Sequence, residues 1–425
     1  MIASTFYIDV GKLNRIESII KTKGKRERNS SINDLVADRY IDYLVQVLNY
    51  YLVEEVDQLI NLGGGEGGAT YSFQVALNCL CAISHISSSA CSELVNCKII
   101  QTLQYLLEID SKTHQQRFTS QVIDCLLVIG ESGGSYHVTK VIDYLLNRMV
   151  QEEVGSGGGG GSSPSSPSPS PPHVTSCSLK FISTLYNIEE YYYRQGGSNG
   201  AHFINVIRVV KGFLSSQHLG VRTESKRSLA RLLKHYHSLT TLYNHNGIHQ
   251  LSQSISTVLL ANENNIFQLL CKQCTMLLDL ETLDLFISIW KMNNNQIEIN
   301  NNNNNSNSEI QTILIIKAII NTAMRHSSLQ KMTDVNNNNY NNNNNNIGLE
   351  NQSILLRCFE SLGIMMESNS KHVDMLINID RLDYQFLDQL LPTFDKMIIS
   401  NASNPNLLID YTTRQLIILQ LFCHG

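Results

Sequence analysis

The chain has 425 residues, 42% apolar and only 16% charged, enough to bury one large core or two to three ordinary ones. Its 37 acidic and 32 basic residues leave a formal net charge of -5, which excludes whole-chain attraction to nucleic acid or acidic membranes and leaves only local basic surfaces. The opening "MIASTFYIDVGKLNRI" has no leader pattern, and no stretch approaches about 18 uncharged apolar residues, so neither secretion nor a transmembrane segment is expected. The ten cysteines lie mostly among Leu, Ile and Val at helical spacing. That suits reduced, buried thiols, and the expected location is the cytoplasm, with the nucleus as the alternative.

Apolar residues recur at i, i+3, i+4 and i+7 from one segment to the next without convincing two-residue alternation, so the chain reads as all-α. The first helices fall near 12–21 and 33–61, within an N-terminal helical cap or degenerate repeat over residues 1–70. Between them runs a basic loop, 21–28, whose Lys25, Arg26 and Arg28 have the form of a nuclear import signal; the alternative is a plain solvated loop. "GGGEGG" follows at 63–68. Gly63, Gly65 and Gly68 satisfy G-x-G-x-x-G literally, but a dinucleotide site needs a preceding strand and this run follows a helix, so it reads as a loop.

From residue 71 the chain repeats itself. "ALNCLCAIS" from Ala76, "VIDCLLVIG" from Val122, "FISTLYNIE" from Phe181, "SKRSLARLL" from Ser225 and "CFESLGIMM" from Cys358 share apolar or small residues at the first, fifth and eighth positions. A second unit precedes this stripe: "KIIQTLQYLL" from Lys98, "KVIDYLLNRM" from Lys140, "HFINVIRVVKGFL" from His202 and "NGIHQLSQSI" from Asn246. Uninterrupted copies start about 40 to 48 residues apart.

This pattern resembles armadillo repeats, with HEAT-like repeats as the alternative, and its nearest local match is "NGIHQLSQSI", with Gly247 at the bend before a second helix. The resemblance implies a right-handed α-solenoid over 71–425, whose three-helix repeats share a continuous core and whose third helices line a concave face. Low-complexity inserts at 63–68, 155–172, 293–308, 334–346 and 400–406 are too polar to offset backbone ordering and are expected to be disordered loops. The first three and the last fall after a second-helix candidate and before a third; the 334–346 run falls between repeats. "EEVGSGGGGGSSPSSPSPSPPHV" is thus expected to be an expanded loop inside one core rather than a hinge between domains.

Candidate chemistry is sparse. Cys271 and Cys274 form C-x-x-C without a second ligand pair and read as core thiols. His235, His237, His245 and His249 make the best metal-like cluster, but no nearby carboxylate or thiol completes a set. With no catalytic signature present, no enzyme activity, metal or cofactor is expected. The most informative helix is "RTESKRSLARLLKHY". If Ser225, Leu229 and Leu232 pack inward, Arg227, Arg231 and Lys234 project together from another face.

Armadillo-type import receptors hold an extended basic peptide on a Trp and Asn ladder. The matching positions read Asn78, Asp124, Ser183, Arg227 and Lys272 in place of Trp, and Asn187 alone retains the Asn. A groove of Arg227, Arg231, Lys234 and Asn187 would repel a basic peptide and suit an acidic or phosphorylated segment. The alternative is a solvated helix face. The expected function is a non-enzymatic scaffold or adaptor that binds other proteins and no specific nucleic acid. A regulator of a small GTPase or another enzyme is the alternative, and a metalloprotein using the His235–His249 cluster is a third.

Overall fold

A computed structural model of the chain describes residues 8–22, 40–54, 68–86, 88–110, 116, 118–133, 135–156, 170–194, 200–242, 246–260, 266–273, 278–294, 306–336, 345–368 and 370–379. Every regular element among the described residues is helical, so the fold is all-α. No helix among them is long and apolar enough to cross a membrane. The helices group into two compact units, Met1–Asn187 with His218–Glu224, and Ile188–Gln217 with Ser225–Gly425.

The first unit contains α1 (Val10–Thr22), α2 (Tyr40–Glu54), α3 (Gly68–Ile86), α4 (Ser88–Asn96), α5 (Ile99–Asp110), α6 (Thr119–Gly133), α7 (Thr139–Ser156) and α8 (Pro172–Leu185). Helix α3 packs on α1, α2, α4 and α6, and α6 packs in turn on α4, α5 and α8. Thus α3, α6 and α8 lie side by side in chain order, while α2 packs on α5 behind them. The stripe that defines these helices is their buried face: Ala76, Leu80 and Ile83, then Val122, Leu126 and Ile129, then Phe181 and Leu185 are all buried. At the centre, Phe73 meets Tyr51 and Phe118 edge-on with ring centroids 5.9 and 5.1 Å apart, the arrangement aromatic quadrupoles favour.

Two local devices set the spacing of these helices. The buried Asp110 carboxylate accepts hydrogen bonds from the Phe118 and Thr119 backbone N–H groups and the Thr119 hydroxyl at 3.0, 2.8 and 2.6 Å. It caps α6 from the end of α5 and satisfies donors that would otherwise be orphaned. Gly130 lets α6 and α8 approach closely, since a Cβ there would stand 2.6 Å from Leu185 Cδ1.

The second unit contains α9 (Ile188–Arg194), α10 (Ala201–Gly212), α11 (Leu219–Leu242) from Ser225 onward, α12 (Asn246–Leu260), α13 (Ile266–Gln273), α14 (Leu280–Asn294), α15 (Ser306–Asn336), α16 (Asn345–Ser368) and α17 (Ser370–Ile379). Helix α16 packs on α14, α15 and α17, α10 packs on α12, and α13 on α15. Ser225, Leu229, Leu232, Cys358, Leu362 and Met365 are buried, again the expected stripe. Gly200 precedes α10 at φ +54, and a Cβ there would lie 2.5 Å from Leu251 Cδ1, so both backbone and space require glycine.

Several boundaries differ from the reading of the sequence. The "FISTLYNIE" segment is not one helix: α8 stops at Leu185, and α9 starts at Ile188 after a break at Tyr186 and Asn187. Gly247 forms no bend, because α12 already begins at Asn246. Helices also run into the low-complexity segments, taking in Gly68, Gly155 and Ser156, residues 306–308 and 334–336, and Asn345 and Asn346. Adding a residue to an existing helix gains a hydrogen bond without a new nucleus, so polar composition alone does not mark the helix end. Helices α15 and α16, which flank the 334–346 run, pack on each other, and α14, which precedes the 293–308 run, packs on α16. The basic loop with Lys25, Arg26 and Arg28, and the 400–406 run, lie outside the described residues.

Candidate functional site

The basic row of α11 does not face solvent alone. Ser225 donates to the Val210 carbonyl at 2.6 Å, and with Leu229 and Leu232 it anchors the buried side of the helix. This fixes the opposite register, where Arg227 is half exposed and Lys234 exposed, while Arg231 is partly covered. Arg227 donates through Nε and Nη2 to Glu281 Oε1 on α14, at 3.0 and 2.5 Å. Beside it, Lys226 has a side chain only 5% exposed and reaches Asp279 Oδ2 at 2.7 Å. Asp279 in turn caps α14: its Oδ1 accepts from the Thr282 backbone N–H at 2.8 Å and from the Thr282 hydroxyl at 2.5 Å, a preferred use of aspartate at a helix start.

The pattern continues across α14 to α16. Arg357 Nε lies 2.8 Å from Asp284 Oδ1, Arg357 Nη1 donates to Glu360 Oε2 at 2.5 Å, and Lys291 Nζ lies 3.1 Å from Glu360 Oε1. Acid and base therefore alternate over three helices. Burial works against ionisation of Asp279, but hydrogen bonds from Lys226 and Thr282 and the Lys226 charge outweigh it and hold the carboxyl below its usual value. Glu360 is lowered in the same way, burial being overcome by Lys291 and Arg357. Asp284 goes the other way: burial, with Glu360 and Glu281 nearby, raises it despite Arg357 and Lys234. Most of these pairs are half exposed and each contributes about 0 to 1 kcal/mol, so the lattice sets a charge pattern more than it sets stability.

The matching positions of the first unit are polar but uncharged or acidic. Asn78 and Asp124 are exposed, Ser183 is buried with its hydroxyl on the Lys180 carbonyl at 3.2 Å, and Asn187 is exposed after α8. Gln74, Asn78 and Gln121 form an amide cluster joining α3 to α6. In it Gln74 Nε2 donates to Asn78 Oδ1 and Gln121 Oε1 at 2.9 and 3.1 Å, and Gln121 Nε2 donates to Asn78 Oδ1 at 2.6 Å. Asn187 belongs to the first unit, whereas Arg227, Arg231 and Lys234 belong to the second. The Lys272 side chain lies outside the described residues. The single tryptophan, Trp290, is buried against Phe267 and Phe286 with centroids 5.5 Å from each; it is core, not a peptide-binding surface.

Of the histidine cluster, His235 and His237 lie on α11, His249 lies on α12 with its side chain outside the described residues, and His245 lies outside them altogether. Cys274 and the Cys271 side chain are likewise outside. Among the described residues no group of three or more His, Cys, Asp or Glu could hold a metal ion. Glu281, Asp284, Arg357, Glu360 and Lys291 were not singled out by the sequence. The acidic spacing in "DLETLD" is visible, but its partners stand 54 residues back, at Arg227, and in α16. No protein-family model matches the chain, and no curated protein does either.

Proposed function

We propose that the chain is a non-enzymatic protein-binding scaffold or adaptor, built as an armadillo-like α-solenoid whose repeated third helices offer a surface to partner proteins. The observation that carries this reading is the side-by-side packing of α3, α6 and α8, each turning the same stripe inward. A stack of that kind presents its off-stripe positions outward in a row, and Asn78 and Asp124 are exposed at such positions in the first unit. In the second unit the binding positions are Arg227, Arg231 and Lys234, and in the first unit the corresponding position is Asn187. An acidic or phosphorylated segment would engage the basic row by charge-assisted hydrogen bonds and would compete with Glu281 for Arg227.

That competition gives the test. The full chain is used as bait beside a charge-reversed variant, R227E/R231E/K234E, and a variant that releases Arg227, E281Q, with captured proteins identified by mass spectrometry at two salt concentrations. Partners of the basic row are lost from the triple variant and retained more strongly by E281Q. Partners bound equally by all three baits, with unchanged salt sensitivity, would remove the groove from the proposal.

A further inference from the structure

All four Ser-Pro dipeptides of the chain, at Ser163, Ser166, Ser168 and Ser170, lie in the single run 163–171. Ser170 is the one with described surroundings, and they are unusual for a serine in such a run. Arg148 of α7 donates through Nη2 to Ser170 Oγ at 2.5 Å and to Gln116 Oε1 at 2.6 Å. A guanidinium is thus already held against the hydroxyl from outside the Ser/Pro run. Ser170 is half buried and outside any helix, and Pro171 after it is extended at φ -54 and ψ 144. A serine outside any helix and followed by proline can be laid into a kinase groove without unwinding a helix. The start of α8 has no side-chain cap, and its N-terminal dipole favours negative charge nearby.

We propose that Ser170 is a phosphorylation site for a proline-directed protein kinase and that Arg148 receives the phosphate. The Ser170 hydroxyl oxygen attacks the γ-phosphorus of ATP. The new Oγ–P bond forms as the bond from that phosphorus to the β-γ bridging oxygen breaks; ADP leaves, and the hydroxyl proton passes to the kinase's base. The product places about -1.5 to -2 charges and three acceptor oxygens beside the Arg148 fork, whose planar donors match phosphate. A hydrogen bond from a cation to a neutral hydroxyl becomes one between opposite charges, and the segment entering α8 is pinned to α7. This device does not rest on the scaffold reading, because it uses only the contacts of Arg148 with Ser170 and Gln116.

The test uses the full chain carrying S163A/S166A/S168A, which leaves Ser170 as the one Ser-Pro acceptor. It is incubated with ATP and a proline-directed serine/threonine kinase, and phosphosites are mapped. Phosphate on Ser170 is expected. Amide hydrogen exchange over Val174–Ser178 should then slow at least about tenfold, the effect of one hydrogen bond to a charged group. The slowing should fall below about twofold in the same chain with R148Q and be intermediate with R148K, which keeps the charge but loses the fork. No phosphate on Ser170 in a chain whose Ser163, Ser166 and Ser168 are modified when present would overturn the proposal. Equal slowing in the Arg148, R148K and R148Q chains would overturn Arg148 as the receiver.

Discussion

Replacing Asp279 and replacing Lys226 should not cost the same, although each breaks one ion pair. The Lys226 side chain is 5% exposed and the Asp279 side chain 43%. Asp279→Asn keeps an oxygen for the Thr282 cap but leaves an ammonium without its counter-charge. Uncompensated charge in a sealed interior costs about 3 to 5 kcal/mol; the open carboxylate side admits water and reduces this to roughly 2 to 3 kcal/mol. Asp279→Ala also removes the cap and should cost about 1 kcal/mol more. Lys226→Met replaces the buried stem with apolar volume and leaves a carboxylate that water and Thr282 still solvate, at a cost of about 0 to 1 kcal/mol. Urea unfolding followed by Trp290 fluorescence measures this. Trp290 is the chain's one tryptophan and lies buried on α14, so the signal reports the second unit. The variants should shift the midpoint at constant slope in the order D279A, D279N, K226M. A K226M shift equal to or larger than that of D279N would refute the assignment of the buried charge.

Gly200→Ala should destabilise the second unit by about 2 to 4 kcal/mol, from a positive φ and the collision with Leu251. Gly363→Ala, in α16 with nothing within 4 Å of the new Cβ, should stabilise by about 0.5 to 1 kcal/mol in the same assay. Acid should destabilise this unit: the lowered Asp279 and Glu360 contribute stability present above their unfolded values and lost as pH falls through the folded ones. His372, lowered by burial despite its bond with the Met365 carbonyl, acts in the same direction, starting below its ordinary value near 6.5. Asp284 is raised, so its contribution is lost as pH rises, and Asp284→Asn should leave the pH 7 midpoint unchanged or higher. Thiol titration should find Cys79 and Cys97, pushed up to about 12 chiefly by burial, slow to react in the folded chain at pH 8. Both should react at ordinary rates in denaturant.

What could be read from the sequence is what depends on neighbours along one helix. The stripe through Ala76, Leu80 and Ile83, and its copies, needs only the 3.6-residue period, and all of those residues are buried. Helix ends were harder because they depend on which residue stops hydrogen-bonding. Tyr186 and Asn187 interrupt a continuous apolar stripe, while asparagines that composition assigns to a loop belong to α15 and α16. Harder still was the sign of the basic row. Arg227, Arg231 and Lys234 form a positive stripe on α11 alone. Yet the charge a partner meets includes Glu281, which comes from a helix 54 residues further on.

One-helix patterns thus reveal which face is buried, and cross-helix pairs decide what the exposed face offers. The same distinction bears on binding. A surface whose arginine is already paired in the resting state gains less from an incoming carboxylate than an unpaired one would, since only the difference between the two partners is realised. It also rejects a basic segment less sharply, because Glu281 offers that segment a site. Specificity on this face should therefore come from matching alternating charges in register, and removing the Glu281 charge should both tighten acidic partners and sharpen the rejection of basic ones.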